Sequence, residues 1–207
     1  MFLSIYQYLK KISPKLKGVF FKLFFSSSKL RIGKNFQCNT WPSLIIDENA
    51  KVTLGDNILL RRNVEIRAHG NSSIALNGNN RIDRGVRILS ANNASISIDL
   101  NTKIGLYSVL NGGDSIKIGE KVLISGFVYL QTSMHNHEKG KDVQDQGYKH
   151  APIELENDVW LGTHVVILPN CIIRQGTVIG SNAVVTKSTD NGSILGGIPA
   201  KVIKERR

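Results

Sequence analysis

The residues best suited to chemistry are histidines in one polar segment. Three of the five histidines, His135, His137 and His150, lie within residues 131–152, a stretch that is otherwise polar and charged. Histidine changes its charge near neutral pH, so its side chain suits proton transfer to or from a reacting group. Long loops on a rigid scaffold commonly hold functional groups. This segment is therefore the first candidate for a catalytic site.

Zinc binding is the alternative chemistry for three nearby histidines. His135 and His137 form a His-x-His pair, but the third histidine, His150, does not follow until thirteen residues later. No compact fourth ligand accompanies them. Cys38 and Cys171 are far apart and share no metal-ligand spacing either. We therefore predict no catalytic metal. Since nothing suggests a disulfide framework, a reducing cytoplasm is the expected compartment.

A six-residue repeat predicts the scaffold that must position these histidines. In the C-terminal third, aliphatic residues recur at a constant interval of six, at Leu155, Leu161, Ile167, Ile173, Ile179 and Val185. A helix repeats near 3.6 residues and a strand at 2, so this period indicates a stacked β-solenoid. We predict triangular coils of about 18 residues, in which each of these aliphatic side chains faces inward.

The same interval recurs upstream, with changes of phase. The series are Leu76–Ile82–Ile88, Ile98–Ile104–Leu110 and Ile118–Ile124–Leu130. Where the interval changes, as in the ten residues from Ile88 to Ile98, we expect a coil to lengthen at a corner. Many repeats read Ile-Gly or Leu-Gly, and we assign these glycines to turns. Between Leu130 and Ile153 the repeat stops, which predicts an extruded loop over residues 131–152.

The charge distribution indicates anionic partners. A net charge of +11 and a sequence pI near 9.8 suit a phosphate-bearing cofactor, an acidic membrane surface or nucleic acid. The chain has no recognised nucleic-acid motif, so we predict no nucleic-acid partner.

Residues 1–31 lack the repeat and combine aromatic, aliphatic and lysine residues. Lysines interrupt every apolar run before it reaches the length of a spanning segment. We expect a helical segment that caps the open end of the solenoid, contacts the inner membrane peripherally, or does both.

Several motifs together resemble a known family. They lie at residues 130–137, 151–153, 159–163, 178–187 and 197–203, and include Val159-Trp160-Leu161-Gly162-Thr163 and Gly197-Ile198-Pro199-Ala200-Lys201. In this order they resemble the hexapeptide-repeat acyltransferases, closest to the galactoside and maltose acetyltransferases and the O-acetyltransferases of bacterial surface polysaccharides. The resemblance implies an all-β, left-handed parallel β-helix over residues 32–200, followed by a basic tail over residues 201–207.

The resemblance also implies a reaction, which is transfer of acetyl from acetyl-CoA to a sugar hydroxyl. It places the catalytic base at His135, with His137 as the nearest rival because a register error of two residues exchanges them. A hydroxyl is a poor nucleophile near neutral pH, so a base must remove its proton. The negative charge that develops on the thioester oxygen requires a fixed donor, which we expect to be a backbone N–H at Gly162 or Thr163.

The remaining site residues follow from the same resemblance. Six residues are implied to contact the cofactor, namely Thr163, Ser181, Thr186, Lys187, Lys201 and Lys204. Trp160, Asn111 and His137 are expected on the acceptor side, although the family's acidic residue does not align cleanly with Asp114. Ordinary packing for Trp160 and solvated corners for the lysines are the alternative interpretations. Members of the family form trimers, so a homotrimer with a carbohydrate acceptor is implied.

Two other functions remain open. An N-acetyltransferase that acts on a nucleotide-linked amino sugar would use the same base. A non-catalytic solenoid would use the coils only as a scaffold or binding module, and would not depend on His135.

Overall fold

The computed structural model describes residues 2–206. Met1, the first residue of the predicted N-terminal segment, and Arg207, the last residue of the predicted tail, lie outside the described residues. The chain begins with helix α1 (Phe2–Phe25) and a 3-10 turn occupies Val143–Asp145. The strands in chain order are β1 (Leu30–Ile32), β2 (Gln37–Cys38), β3 (Ser43–Ile46), β4 (Lys51–Asp56), β5 (Leu59–Leu60), β6 (Glu65–Ala68), β7 (Ser73–Gly78), β8 (Arg81–Ile82), β9 (Arg87–Ser90), β10 (Ser95–Ile98), β11 (Lys103–Ile104), β12 (Val109–Gly112), β13 (Ile116–Ile118), β14 (Leu123–Ile124), β15 (Tyr129–Gln131), β16 (Ser133–His135), β17 (Tyr148–His150), β18 (Ile153–Leu155), β19 (Trp160–Leu161), β20 (Val166–Ile167), β21 (Cys171–Ile173), β22 (Val178–Ile179), β23 (Val184–Val185), β24 (Ser193–Gly196) and β25 (Lys201–Glu205).

Most of these strands form three parallel sheets that make the sides of a prism. Sheet 1 has the order β1-β4-β7-β10-β13-β18-β21, and sheet 2 has the order β2-β5-β8-β11-β14-β19-β22-β24-β25. Sheet 3 has the order β3-β6-β9-β12-β15-β20-β23. Each coil therefore contributes one strand to each sheet in turn. The predicted all-β solenoid with an N-terminal helix is confirmed, and the topology is consistent with a left-handed parallel β-helix.

The core is a set of aliphatic columns that run along the prism. In sheet 1, Leu54 pairs with Leu76 and Leu76 pairs with Ile98, and all three side chains are fully buried. The aliphatic residues that the six-residue repeat identifies upstream and downstream are buried in the same way. Burying one such side chain stabilises the fold by about 1.5 to 3 kcal/mol. The columns thus supply a continuous core without a globular centre, as the repeat predicts.

Coil length differs from the expectation in the N-terminal half. Val52, Ile74 and Ile96 are partners at intervals of 22 residues, whereas Ile153 pairs with Cys171 after 18. The predicted coil of about 18 residues is therefore wrong for the first coils. Six-residue spacing is kept between the sheets of one coil, and the extra residues lie at the corner from sheet 3 to sheet 1. Lengthening at this corner is the expected outcome of the ten-residue interval between Ile88 and Ile98, and is confirmed.

The corners use asparagine where the backbone turns and glycine where coils touch. Asn35, Asn57 and Asn79 adopt left-handed conformations, which asparagine tolerates. Their side-chain amides form a ladder along the prism, with N–H···O distances of 3.0 and 2.9 Å. By contrast, a Cβ added at Gly55 would lie 2.6 Å from the carbonyl oxygen of Asn77 on the next coil. Close approach of coils, and not a turn conformation, therefore explains this glycine.

Helix α1 closes the N-terminal end of the prism. Phe21 is buried against the first coil, with its ring centroid 5.6 Å from that of Phe36. Lys17 and Lys22 each donate a hydrogen bond of 2.9 Å to a backbone carbonyl of the first coil. Among residues 2–206, no helix is long and apolar enough to cross a membrane. Helix α1 therefore packs on the first coil through Phe21, Lys17 and Lys22.

The C-terminal residues form a strand on the opposite end. Strand β25 turns back and pairs antiparallel with β24, so that Gly196 faces Lys201 and Ser193 faces Glu205. Arg206 then donates a hydrogen bond of 2.8 Å to a carboxylate oxygen of Asp158. Residues 201–205 of the expected basic tail thus form a strand of sheet 2.

Neighbouring residues of β11 test the column directly. Ile104 is buried between coils while Lys103 on the same strand is exposed. We expect Ile104→Ala to lower the free energy of unfolding by about 2 to 5 kcal/mol, since it leaves a cavity in the column. Lys103→Ala should change it by no more than about 0.5 kcal/mol. Urea denaturation of both variants measures the difference, and equal losses would contradict the inward column.

Candidate active site

The polar segment forms an antiparallel hairpin that leaves the prism directly after strand β15 of sheet 3. Strands β16 and β17 pair Ser133 with His150, Met134 with Lys149, and His135 with Tyr148. Two of the three histidines therefore lie on the hairpin strands, and His137 follows β16 directly. The hairpin is an ordered two-stranded element, and not an irregular loop.

Thr132 anchors the hairpin to the coil beneath it. Its side chain is fully buried, and its hydroxyl accepts hydrogen bonds from the backbone N–H groups of Gly113 and Asp114 at 2.8 and 3.1 Å. The same hydroxyl donates to the carbonyl of Asn111 at 2.8 Å. On the return strand, the N–H of Ala151 donates to the carbonyl of Thr132 at 2.9 Å. One buried residue thus fixes both ends of the hairpin.

His135 presents an exposed imidazole from β16. Its ring lies against that of Tyr148 on the partner strand, with centroids 4.1 Å apart and planes inclined by 38°. Within residues 2–206 its ring nitrogens make no hydrogen bond with the protein, so the imidazole is available to a ligand. Contact with the Tyr148 ring restricts its orientation without occupying its nitrogens.

The other two histidines of the hairpin have partners. Nδ1 of His137 lies 3.1 Å from the carbonyl oxygen of His135, which can only accept, so Nδ1 carries the hydrogen. His150 Nδ1 lies 2.8 Å from the Ser133 hydroxyl and links the two strands. Between the first two histidines, Asn136 donates to the carbonyl of Gln146 at 2.9 Å and holds the turn. The rivalry between His135 and His137 as base therefore stays open.

Asn111 is brought to the base of the hairpin. It lies on the outer side of sheet 3, and its side-chain amide donates to Gln131 Oε1 at 2.9 Å and to the Tyr129 hydroxyl at 3.3 Å. Asp114 instead accepts a hydrogen bond of 2.6 Å from the backbone N–H of Ser115. Asn111 therefore lies on the outer face beside the hairpin, whereas the Asp114 carboxylate is engaged in its own turn.

Thr163 and Ser181 lie at the corner where sheet 2 leads into sheet 3, on adjacent coils. Thr163 donates to the carbonyl of Gly126 at 2.8 Å, and Asn182 N–H donates to the carbonyl of Thr163 at 2.9 Å. The N–H of Gly162 donates to the carbonyl of Ile179 at 2.8 Å, because it belongs to the coil-to-coil ladder. Gly162 is therefore not a free oxyanion donor, and Thr163 stays the prediction.

Trp160 lies near the same corner with its side chain 48% exposed. Its indole N–H donates to the Ser125 hydroxyl at 3.3 Å, and on the outer side of sheet 2 it neighbours Leu123 and Val178. This exposure argues against the alternative of ordinary core packing. An indole fixed at one end and open along its face can contact a bound molecule.

The four other predicted cofactor residues are all exposed but lie in two places. Thr186 and Lys187 follow β23, at the same corner as the hairpin and two coils further on. Lys201 and Lys204 lie on β25 at the end of sheet 2. Sheet 3 thus separates the hairpin from the corner of Thr163 and Ser181, so one chain does not bring all the predicted residues together.

The sequence did not predict an aromatic stack at the corner where sheet 2 leads into sheet 3, which we call the second corner. Tyr107, Phe127 and His164 occupy one corner position on successive coils, with ring centroids 5.5 and 4.9 Å apart. All three have positive φ, which is uncommon for bulky residues and often marks functional sites. The His164 ring therefore packs on the neighbouring coil through Phe127. Counting back one coil from His164 would have identified the stack.

Neither cysteine is suited to act as a nucleophile. Cys38 and Cys171 are both free and buried. Burial raises the pKa of the Cys38 thiol to about 11, although the charge of Lys17 opposes the shift. Burial also raises the pKa of Cys171. Since the thiolate is the reactive form, both residues act in packing.

Residues 152–187 match the family described as "Bacterial transferase hexapeptide (six repeats)". Residues 152–187 therefore carry hexapeptide repeats of that kind. This matched segment contains Trp160, Thr163, Ser181, Thr186 and Lys187, whereas His135 lies before it.

Two relatives come from Escherichia coli strain K12. Galactoside O-acetyltransferase is 37% identical over 93 residues, which cover 44% of this chain and 44% of that protein. "Putative lipopolysaccharide biosynthesis O-acetyl transferase WbbJ" is 32% identical over 102 residues, which cover 44% of this chain and 51% of that protein. The alignments thus span about half the length of these relatives, or less. The expected resemblance to acetyltransferases of this kind is confirmed.

The fold is also that of a solved acyltransferase. A crystal structure of a variant of AntD, an N-acyltransferase from Bacillus cereus, in complex with dTDP and coenzyme A, matches 94% of this chain and 91% of its own with a TM-score of 0.63. Sequence identity is 20%, so the likeness concerns the fold.

The anchoring role of Thr132 can be tested without adding bulk. Thr132→Val leaves the N–H groups of Gly113 and Asp114 without their acceptor, and we expect a loss of about 1 to 3 kcal/mol in the free energy of unfolding. Trypsin should also cut faster after Lys139 and Lys141 in the loosened hairpin.

The matched control is Thr132→Ser, which keeps the hydroxyl and should behave like the unaltered chain in both assays. If Thr132→Val is cut no faster than Thr132→Ser, the buried hydroxyl does not hold the hairpin.

Proposed function

We propose that this chain is an acetyl-CoA-dependent O-acetyltransferase. The acceptor is a sugar hydroxyl of a bacterial surface polysaccharide or of its precursor, the acetyl group passes directly to it, and His135 acts as the general base. Similarity to two O-acetyltransferases, one named for galactosides and one for lipopolysaccharide biosynthesis, supports the reaction class.

One observation supports His135 more than any other. Its imidazole is exposed on an ordered hairpin, rests on Tyr148, and keeps its nitrogens clear of the protein atoms described. A base needs an orientation that is fixed and a nitrogen that is free to receive a proton. His150 and His137 each engage Nδ1, with the Ser133 hydroxyl and a backbone carbonyl respectively, and would have to act through Nε2, so His137 remains the rival base.

The proposed reaction needs only proton transfer and positioning from this chain. A neutral His135 nitrogen accepts the proton of the sugar hydroxyl while the hydroxyl oxygen forms the new ester bond. The protonated imidazole then returns that proton to the departing thiolate, so the side chain ends as it began. We assign the backbone N–H of Thr163 as the donor of a hydrogen bond to the negatively charged oxygen that develops on the thioester carbonyl.

Acetyl-CoA supplies the acetyl thioester, and the exposed polar residues near the C-terminal end fit such a ligand. Lys187, Lys201 and Lys204 are exposed cations suited to phosphate groups. Thr163 and Ser181 offer hydroxyl and backbone groups along adjacent coils. Trp160 and Asn111 are assigned to the acceptor side, with His137 as a neighbour of the base. The absence of a catalytic metal stays a prediction.

A homotrimer completes this site. Within one chain, sheet 3 separates His135 from Thr163 and Ser181. If prisms pack side by side around a threefold axis, the hairpin of one chain can face the second corner of its neighbour. We propose that each site combines His135 of one chain with Thr163 and Ser181 of the next.

The role of His135 is tested by substitution. His135→Ala should lower the turnover of acetyl-CoA with an accepted saccharide by about two to four orders of magnitude, because the general base is lost. Thiol release follows the reaction, and an unchanged melting temperature shows that the fold is intact. His137→Ala tests the rival base on the acceptor side and should lower turnover much less than His135→Ala does.

The outcome also separates the other functions. A His135→Ala variant with near-normal turnover moves the base to His137 or elsewhere. Products that survive mild alkali are amides, which would indicate N-acetylation of an amino sugar. Absence of any acetylated product across saccharides and amino sugars would favour a non-catalytic scaffold.

Shared sites predict complementation between two inactive variants. His135→Ala removes the base, and Ser181→Trp blocks the second corner at an exposed position. In co-expressed mixed trimers, about a quarter of the sites should combine an intact hairpin with an intact corner, because the chains assemble at random.

Turnover of the purified mixture should recover toward that fraction of the unaltered rate. Mixed trimers whose composition is verified by mass spectrometry, and which stay inactive, would place the whole site within one chain.

A further inference from the structure

Helix α1 has a second apolar face that the solenoid does not cover. Leu16, Val19, Phe20, Leu23 and Phe24 have side chains that are between 51% and 72% exposed. Their spacing of three, four and seven residues places them on one side of the helix. Phe21, which packs on the first coil, lies on the opposite side. A cap needs only one of these faces.

The orientation of this face is fixed. Gly18 sits so close to the first coil that an added Cβ would overlap the carbonyl group of Phe36. Lys17 and Lys22 bracket the buried face, and each donates to a carbonyl of the first coil at 2.9 Å. The helix therefore cannot rotate its uncovered face inward without losing these contacts.

The exposed face continues toward the N-terminus. Phe2, Tyr6 and Leu9 follow the same spacing of three, four and seven residues toward Leu16, and all three are more than half exposed. The helix of 24 residues is about 36 Å long. The apolar face is therefore much more extended than one exposed side chain. A partner that buries it needs a surface of similar length.

Charge identifies the kind of partner. The first acidic residue of the chain is Asp47, so residues 1–46 carry seven lysines, one arginine and no carboxylate side chain. Lys15 is exposed beside the apolar face, and Lys10 lies over the ring of Tyr6 at 4.6 Å. A second copy of this helix would bring like charges together. An anionic lipid surface offers acyl chains for the apolar face and phosphates for the lysines.

We propose that α1 is an interfacial helix that docks the protein on an anionic membrane. The helix lies in the plane of the bilayer surface, with Leu16, Phe20 and Leu23 inserted and the lysines at headgroup level. The prism then stands with its first coil toward the lipid. This inference is independent of the proposed acetyl transfer, because vesicle binding requires no reaction.

The test uses the full chain and flotation of lipid vesicles. Vesicles with about one third phosphatidylglycerol should carry the protein, whereas pure phosphatidylcholine should carry far less, and high salt should release it. The double variant Phe20→Glu/Leu23→Glu should bind at least about tenfold less. Lys15→Gln, which keeps the apolar face, should bind about fivefold less.

Leu100→Glu/Leu123→Glu is the matched control. It introduces the same charge at two partly exposed aliphatic positions away from α1, and should bind as the unaltered chain does. The proposal is overturned if the unaltered chain does not float with anionic vesicles, or if the control loses as much binding as Phe20→Glu/Leu23→Glu. It is also overturned if Phe20→Glu/Leu23→Glu leaves vesicle binding unchanged and instead lowers the mass of the assembly in light scattering. That result would show that the face is a contact between subunits.

Discussion

Register between neighbouring coils is the constraint on which this structure depends. Each strand bonds to the strand of the next coil, so a residue must lie beside its counterpart and an aliphatic must stack on an aliphatic. Coils of different length satisfy this rule only if the additional residues leave the wall at a corner. The intervals of 22 residues after Val52 and 18 after Ile153 both return to the same inward position. Inward positions are therefore invariant, while one corner is free to vary.

The candidate site exploits that freedom. The hairpin leaves the wall after Leu130 and returns at Ile153, which is at the corner where the first coils already carry extra residues. Thr132 follows Gln131 at the register position that Ala68, Ser90 and Gly112 occupy on earlier coils, and its buried hydroxyl bonds the preceding coil. An insertion can thus grow at this corner without disturbing the columns above or below. Thr132 anchors the insertion at its base. Pairing of β16 with β17 then holds His135 beside Tyr148.

The sequence predicted the features that follow from period and missed those that follow from stacking. Inward residues such as Leu161 and Ile179 repeat every six positions, so their burial could be read directly. Coil length could not, because the period counts inward positions and ignores residues at the corners. The position of His135 on an extruded segment was likewise predictable. Its contact with Tyr148 was not, since it depends on the strand register within the hairpin.

The two ends of the prism solve the same physical problem differently. Strand β25 covers the last coil by extending sheet 2, which satisfies backbone groups and leaves two aliphatic side chains, Val202 and Ile203, exposed. The N-terminal end uses a helix whose buried side already suffices, since Phe21 packs on Phe36 and two lysines fix it. A strand like β25 would have closed this end without exposing a row of phenylalanines and leucines to water. Keeping such a row is unfavourable for a protein that only needs a cap. The uncovered apolar face of α1 is therefore best explained by a partner that buries it and also binds the surrounding lysines, as an anionic lipid surface does.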